Sequence, residues 1–471
     1  MTTTASTSTA SAQADRLRAL AGEQLARDRW PRDRLLAFQA ERLRALIAGA
    51  VAASPYYRDR LGPDAATGEV PLSELPTLPK ATLMDNFDRI VTDPRLRRAE
   101  LEAHLAGPAA DRPYLGRYRL FSTAGTTGLR GLFVQDVEEF AVWLGTCLRG
   151  MASWGLGPGT RLAGIGSPSP LHISNQLYAV LLAGQPGAAP RLAVTTPLPE
   201  MVAALNAFRP QALTAYATVA AALAEEQLQG RLRIAPTLVA TTSEVQTADI
   251  HRRITQAWDL EPLDFYGTTE AAVVAAARQG QAGMDVLEDL VVVEVVDEHD
   301  RSVPPGVPGH KVLLTNLVNH TQPLLRYELT DSLTLAGGTN PLGLPYARIA
   351  AVDGRSDDVI TLPGAGGRPV AVHPFRLRAP FAELLEVRQY QVVHDPAGLH
   401  VAVVLREQAP ADLPDPDQGV PGRRAAGRWR GPASDRGHPG PRDRARRRPR
   451  RQAQAGPQRG RAVALTGLRP G

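Results

Sequence analysis

Apolar residues recur at helical spacing in the first part of the chain. Between Asp15 and about Ala52, leucines, Phe38 and Ile47 return every three or four residues among arginines and glutamates. This is the period of an amphipathic helix. Pro31 interrupts the run, so the pattern predicts one helix on each side of it.

A different pattern runs from Leu120 to about Asp353, where short apolar runs alternate with helical stretches. The alternation predicts an α/β fold with layered sheets and helices. Short Gly/Pro turns separate the runs near 290–335, which predicts that part of the sheet is antiparallel. The predicted strands are 161–165, 191–195, 237–241, 291–296 and 311–315, and the clearest predicted helices are 138–154 and 218–229.

These changes in pattern divide the chain into four parts. Residues 1–14 are rich in Ser, Thr and Ala, and this composition predicts a disordered leader. Residues 15–353 are expected to form a large α/β domain. Residues 354–408 predict a small α+β domain that looks incomplete. In 409–471 Arg, Gly and Pro dominate, and such a segment buries too little apolar surface to offset its ordering entropy, so we expect disorder.

Charge and composition exclude several classes of protein. Residues 418–471 hold fifteen arginines against two acids, a net of +13, which leaves −8 on the rest of a chain of formal charge +5. The basic charge is thus confined to a tail, and we expect no nucleic-acid partner. No apolar run reaches the length of a membrane helix. Cys147 is the only cysteine, which suits a reducing cytoplasm.

Phe121 and Ser122 lead into a loop of small and hydroxyl residues that is the sharpest motif in the sequence. Glycines let a backbone turn its N–H groups toward an anion, and neighbouring hydroxyls add donors. The Gly-Lys-Ser/Thr ending of a Walker loop is absent. Taken alone, the segment could equally be a polar surface loop. Its members are Thr123, Ala124, Gly125, Thr126, Thr127 and Gly128.

Three further motifs follow along the chain. A tyrosine ring can cover a purine, and a carboxylate after hydroxyls suits Mg²⁺. An aspartate can accept both hydroxyls of a ribose, with an arginine nearby for sugar or phosphate. Each motif alone has an ordinary alternative, a strand-to-helix turn or a surface ion pair. They are Tyr266-Gly267-Thr268-Thr269-Glu270, the segment from Arg326 to Asp331, and Gly354-Arg355-Ser356-Asp357-Asp358.

Together, in this order, the four motifs resemble the adenylate-forming superfamily of acyl- and aryl-CoA ligases over about residues 43–404. Smaller features are similar to its phenylacetate–CoA ligase branch. These are Ser54-Pro55-Tyr56-Tyr57-Arg58, Leu78-Pro79-Lys80, Thr241-Thr242-Ser243-Glu244, Leu314-Thr315-Asn316-Leu317 and Pro323-Leu324-Leu325-Arg326-Tyr327. The resemblance implies that 15–353 are an AMP-binding domain.

The resemblance also implies roles for individual residues. Thr123 to Gly128 would hold the phosphates of ATP, and Glu244 and Tyr266 would border the adenine. Glu270 and Thr126 would hold Mg²⁺, Asp331 with Arg355 would hold the ribose, and Asp357 would be the hinge of the small domain. Further nucleotide or substrate contacts are assigned to Gly267, Thr268, Thr269 and His172; for His172 a purely structural role is the alternative.

One departure from the family concerns a lysine. Most relatives carry a lysine near the end of the small domain that contacts the carboxylate and the α-phosphate, whereas this chain has only Lys80 and Lys311, both earlier. One hypothesis is that residues after about Asp417 are a shifted reading frame of a GC-rich gene, and the alternative is a natural basic tail. Arginine is no neutral substitute, since its planar fork differs from a compact ammonium.

The sequence therefore predicts an ATP-dependent ligase that makes an acyl-adenylate and then a coenzyme A thioester. Apolar and small residues in the segments expected to form the acyl pocket, such as Gly166, Ile173 and Ala240, favour an aromatic, arylacetic or short aliphatic acid. Two alternatives stay open: transfer to a carrier-protein thiol, an amine or a hydroxyl, and a weakened descendant that only binds nucleotide. Family likeness also suggests a homodimer.

Overall fold

The computed structural model describes residues 3–110, 112–123, 130–157, 159–181, 192–355, 360–363, 369–372, 387–395, 398–405 and 463–465. Side chains are described from residue 12 to residue 355 within these ranges and for part of the later strands. Spatial contacts group the chain into two units, Met1–Asp357 and Asp358–Gly471. The boundary between the two units lies at 357/358, four residues after the boundary predicted at 353/354.

Helices dominate the start of the first unit. The two predicted helices flank Pro31, but the first begins at Thr3, so the segment expected to be a disordered leader is helical here. Alanines favour helix and continue the helical run backward from Asp15. The early helices are α1 (Thr3–Arg27), α2 (Arg32–Ala53), α3 (Pro55–Leu61), α4 (Lys80–Asp85), α5 (Phe87–Ile90) and α6 (Arg98–Ala106).

A large mixed sheet forms the centre of this unit. Its strands are β3 (Leu162–Gly166), β4 (Leu192–Ala193), β5 (Ala212–Tyr216), β6 (Leu238–Thr242), β7 (Leu263–Tyr266), β8 (Ala275–Ala277), β9 (Met284–Val286), β13 (Asp331–Leu335) and β14 (Arg348–Arg355). Their order across the sheet is β13-β14-β9-β8-β7-β6-β5-β3-β4, with parallel pairing from β7 to β4 and antiparallel pairing from β7 to β13.

Helices pack on both faces of this sheet, as parallel strands buried on two sides require. They are α7 (Val137–Ser153), α8 (Ile173–Leu181), α9 (Leu198–Phe208), α10 (Ala217–Leu228) and α11 (Ala248–Trp258). Helix α7 begins at a capping box: Asp136 accepts from the Glu138 N–H at 2.8 Å, and Glu139 accepts from the Asp136 N–H at 2.7 Å. Successive residues of a strand therefore pack into two different hydrophobic cores. Leu162 and Ala240 belong to one core, and Ala163 and Val239 belong to the other.

Two smaller sheets complete the first unit. β1 (Tyr118–Ser122) and β2 (Leu132–Asp136) form an antiparallel hairpin, and β10 (Val291–Val296), β11 (Lys311–Asn316) and β12 (Tyr327–Leu329) form an antiparallel sheet. The α/β class and the antiparallel region near 290–335 are thus confirmed. Among the described residues, no helix is long and apolar enough to cross a bilayer.

In the second unit the structure describes strands. β15 (Ile360–Pro363) pairs with β16 (Pro369–Val372), and β17 (Val387–Asp395) pairs with β18 (Gly398–Leu405), all antiparallel. β18 also pairs with β19 (Val463–Leu465), inside the segment predicted to be disordered. The sequence Val-Ala-Leu is apolar enough to extend a sheet. The prediction missed this strand because arginine dominates the composition of the tail as a whole.

Candidate active site

The predicted motifs gather at the carboxyl edge of the parallel strands. β6 runs parallel to β7 with Thr242 opposite Phe265, so Ser243 and Glu244 leave the sheet beside Tyr266, the last residue of β7. In open α/β sheets this edge is where ligands bind. The fold therefore brings the second motif and the Glu244 segment together.

Tyr266, Asp331 and Arg355 form one hydrogen-bonded cluster. The Tyr266 hydroxyl donates to Asp331 Oδ2 at 2.6 Å, and Arg355 Nε donates to Asp331 Oδ1 at 3.1 Å. Asp331 and Arg355 face each other across the β13–β14 pair. Burial and the Asp331 charge raise the pKa of Tyr266 well above its usual range, so the hydroxyl stays a donor. The motifs that contribute Tyr266, Asp331 and Arg355 therefore converge on a single carboxylate.

Glu270 lies buried next to this cluster. Burial raises the pKa of its carboxyl, and the Asp331 charge raises it further, while the charges of Lys80 and Arg355 lower it. Burial and then the charge of the Glu270 carboxylate raise the pKa of the Tyr327 hydroxyl, so the two side chains lie close together. Asn316 Nδ2 donates to the Glu270 backbone oxygen at 2.7 Å, which fixes the residue at the end of its loop.

The surroundings of Glu270 fit a magnesium ion that is shared with a substrate. Among the residues that the structure describes, no group of three or more His, Cys, Asp or Glu side chains is arranged for a metal. One buried carboxylate with its pKa raised is instead a partial donor set. Mg²⁺ commonly takes one or two protein carboxylates and completes its six ligands with water and phosphate oxygens.

The loop from Tyr266 to Glu270 has little freedom. A Cβ on Gly267 would lie 2.6 Å from the Ala272 oxygen, so only glycine fits there. The Ala271 N–H donates to Thr268 Oγ1 at 3.1 Å, and the Val274 N–H donates to the Tyr266 oxygen at 2.8 Å. This tight turn holds Thr269 and Glu270 beyond the strand end.

The predicted phosphate loop lies in the connection between β1 and β2. The Thr123 N–H donates to the Gly131 oxygen at 3.1 Å, and the Gly131 N–H donates to Thr123 Oγ1 at 2.9 Å. These two bonds close the base of the loop. The loop itself lies outside the described residues, as does the predicted hinge Asp357; the loop residues concerned are Ala124, Gly125, Thr126, Thr127 and Gly128.

Glu244 and His172 already have protein partners. Glu244 Oε2 accepts from the Thr218 N–H at 2.8 Å, at the start of α10. His172 Nδ1 lies 2.8 Å from Ser174 Oγ, and burial lowers the pKa of its ring. The preceding Leu171 oxygen accepts from the Ser122 N–H at 3.1 Å, so the His172 segment adjoins the entrance to the phosphate loop.

Tyr178 contacts strand β3 next to Gly164. Gly164 on β3 faces Thr214 on β5, and the Tyr178 hydroxyl lies 2.6 Å from Thr214 Oγ1. A Cβ on Gly164 would meet the Tyr178 ring at 3.3 Å, whereas one on Gly166 would find only Ser174 Oγ, at 4.0 Å. Tyr178 therefore fills the space beside Gly164, and the space beside Gly166 is more open.

Three residues near Glu270 have no site role predicted from the sequence: Lys80, Asn316 and Tyr327. All three fall within segments quoted for the phenylacetate–CoA ligase branch. Their relation to Glu270 depends on contacts between distant parts of the chain. The rarity of lysine was the available signal for Lys80, which is one of only two.

Curated proteins with similar sequences are phenylacetate-coenzyme A ligases. The chain is 27% identical to the Pseudomonas putida enzyme over 153 residues, covering 32% of this chain and 34% of that one. It is 24% identical to the Thermus thermophilus enzyme over 292 residues, covering 58% and 62%. The chain thus spans less than two thirds of the length of these relatives. No protein-family model matches it.

Solved structures with a similar fold include 2-hydroxyisobutyryl-CoA ligase. The chain matches that ligase in its postadenylation state with 2-HIB-AMP at a TM-score of 0.62 and 20% identity, over 78% of each chain. It matches the thioesterification state with 2-HIB-AMP and CoA at 0.56 and 20%, over 80% of each chain. The expected resemblance to adenylate-forming CoA ligases is therefore confirmed in fold, and the sequence similarity is to phenylacetate–CoA ligases.

Proposed function

We propose that this protein activates a carboxylic acid with ATP and transfers the acyl group to coenzyme A. The observation that carries the proposal is the Tyr266–Asp331–Arg355 cluster beside the buried Glu270, at the carboxyl edge of the sheet. A carboxylate held by two donors is oriented to accept hydroxyls of a ribose. Tyr266 and Glu244, at the ends of neighbouring strands, would border the adenine.

Two bond changes make up the reaction. In the first, a carboxylate oxygen of the acid bonds to the α-phosphorus in line, and the bond to the bridging oxygen breaks, so that pyrophosphate leaves. In the second, a thiolate bonds to the acyl carbon and AMP leaves. Mg²⁺, held by Glu270 and Thr126, would neutralise charge on the phosphates. The residues Thr123 to Gly128 would orient the phosphates of ATP by their N–H and hydroxyl groups.

The residues around Gly166 and Tyr178 support an apolar acid of limited length. Gly166 leaves space on one face of β3, Tyr178 fills the space beside Gly164, and Ala240 on β6 is small and buried. The acid would enter with its carboxylate at the strand ends, next to Glu270, and its apolar part toward the Tyr178 ring. This arrangement favours an aromatic, arylacetic or short aliphatic acid over a long acyl chain.

The test is pyrophosphate release from ATP and Mg²⁺ with a panel of arylacetic, benzoic, short aliphatic and long-chain acids, with and without coenzyme A. Hydroxylamine added without coenzyme A traps an acyl-adenylate as its hydroxamate. We expect release that depends on an apolar short or aromatic acid, followed by coenzyme A consumption.

Other outcomes separate the alternatives. The adenylate could accumulate in the presence of coenzyme A and be consumed only when a carrier protein, an amine or a hydroxyl compound is added. That result would replace coenzyme A by this compound as the acceptor. ATP binding without pyrophosphate release from any acid would overturn the catalytic proposal and leave a nucleotide-binding protein.

A further inference from the structure

Lys80 lies between the base of the predicted phosphate loop and Glu270. Its Cε is 3.0 Å from the point where a Cβ on Gly131 would lie, and Thr123 Oγ1 is 3.1 Å from the same point. Its charge also lowers the pKa of the Glu270 carboxyl. The side chain is half-buried.

The two lysines of the chain differ in their partners. Lys311 Nζ pairs with Asp300 at 2.7 Å and with Glu328 at 3.0 Å. For Lys80, no carboxylate of the described residues lies within ion-pair distance. A half-buried ammonium next to the base of the predicted phosphate loop, without a carboxylate partner among the described residues, is suited to an anion from outside the protein.

The backbone before Lys80 is fixed to the central part of the molecule. The Leu78 N–H donates to the Arg326 oxygen at 3.0 Å, and the Glu328 N–H donates to the Leu78 oxygen at 3.1 Å. Leu78 thereby pairs with Tyr327, and the charge of Glu270 raises the pKa of the Tyr327 hydroxyl. Strand β12 is thus next to the segment that ends at Lys80 and close to Glu270.

We propose that Lys80 binds the β- or γ-phosphate of ATP and stabilises the departing pyrophosphate during adenylation. The inference rests on the function proposed above and adds a residue to it. When the bond between the α-phosphorus and the bridging oxygen breaks, its electron pair goes to the pyrophosphate, and the Lys80 ammonium compensates the added charge without giving up a proton. The large unit would thereby contribute a cation to the first half of the reaction by itself.

Chemical labelling tests the contact without relying on activity. An amine-specific acylating reagent is applied to the full chain, and the labelling rates of Lys80 and Lys311 are measured by peptide mass spectrometry. We expect Mg-ATP and pyrophosphate to slow labelling of Lys80 by about 10-fold or more at saturation, and AMP to leave it unchanged. Lys311, held by two carboxylates away from the predicted phosphate loop, is the internal reference.

Substitution separates a phosphate contact from structural support. For Lys80→Met we expect pyrophosphate release to fall about 10- to 100-fold, the loss typical of a charge-assisted bond, with AMP affinity unchanged. Lys80→Arg should recover part of the rate, and Lys311→Met should behave as the parent protein. If AMP affinity falls equally in Lys80→Met, the residue supports the fold instead.

The inference and the proposed function fail in different ways. Equal labelling of Lys80 with and without Mg-ATP, under conditions where ATP binding is detected independently, would overturn the inference whatever the activity. Unchanged pyrophosphate release in Lys80→Met would also overturn it while leaving the proposed function intact. Protection by ATP in a protein that releases no pyrophosphate would support the phosphate contact and overturn the proposed function.

Discussion

The Tyr266 hydroxyl donates a hydrogen bond of 2.6 Å to Asp331, 65 residues further along the chain. The bond joins the last residue of β7 to the first residue of β13. Because Arg355 donates to the other carboxylate oxygen, the plane of the Asp331 carboxylate is fixed before any ligand arrives. Groups that are already oriented lose less entropy when they bind, which favours affinity.

Two substitutions in this cluster should weaken nucleotide binding to different degrees. Tyr266→Phe removes one neutral donor, and we expect AMP affinity to fall about 3- to 10-fold. Asp331→Asn removes the charged acceptor, and we expect a fall of about 10- to 100-fold. Calorimetric titration with AMP measures both. Asp259→Asn makes the same change at an exposed residue in the left-handed conformation, which asparagine accepts, and should have no effect. Equal affinities in all variants would contradict a ribose role for Asp331.

Glu270→Gln should lose activity without losing stability. The neutral amide cannot replace a carboxylate ligand of Mg²⁺, so we expect pyrophosphate release to fall at least about 100-fold. Burial disfavours the charged carboxylate, so the variant should resist urea as well as the parent protein or better. Release rates at several Mg²⁺ concentrations and urea unfolding curves test both expectations. Glu298→Gln, at an exposed turn, is the control. A variant that keeps its rate would exclude Glu270 from the reaction.

Asp264 should make stability depend on pH. Burial raises the pKa of its carboxyl to about 7, against a smaller opposing effect of bonds from Thr241 and the Phe265 N–H. The folded protein therefore holds a proton that the unfolded chain releases above about pH 4. The contribution of Asp264 to the free energy of unfolding falls by at most about 4 kcal/mol as pH rises from 4 to 7, and it is constant above that range.

Asp264→Asn isolates this contribution. Its amide oxygen can accept the same two hydrogen bonds, and its charge does not change with pH. We expect the unfolding free energy of the parent protein minus that of the variant to decrease between pH 4.5 and 7, measured by urea titration at each pH. A difference that is constant with pH would show that the Asp264 carboxyl has an ordinary pKa.

The buried ion pairs around Asp289 should matter for stability. Asp289 is fully buried and accepts from Arg149 Nη1 at 3.0 and 3.1 Å and from Arg27 Nη1 at 3.0 Å. Asp289→Asn leaves Arg149 buried with less opposite charge, and we expect a loss of about 3–5 kcal/mol in guanidinium unfolding. Glu102→Gln breaks an exposed pair with Arg98 and should cost less than about 1 kcal/mol. Equal losses would indicate that burial does not strengthen the Asp289 pairs.

Local pattern predicted the long elements of the fold well. Helices α2 and α7 and strands β6, β10 and β11 coincide with the predicted segments to within a few residues, because their apolar spacing reports which face is buried. The short strands β8 and β9 were missed, since three residues such as Ala275–Ala277 carry no period. Their pairing with β7 comes from the tertiary structure.

The candidate site was predictable where its residues lie in recognisable motifs. Tyr266, Glu270, Asp331 and Arg355 were all named from the sequence, and the fold brings them together. Lys80 escaped prediction because a contact with β12 places it, and no local pattern reports such a contact. The roles assigned to all these residues are still predictions that the experiments above test.

The pairing of Leu78 with Tyr327 links residues 249 positions apart in the chain. During synthesis at roughly 5–20 residues per second, β12 follows Leu78 after on the order of tens of seconds. The segment that ends at Lys80 therefore stays unpaired during synthesis until β12 has been made. Nucleotide binding would begin only when this late contact has formed, so a nascent chain shorter than about 330 residues should not capture ATP.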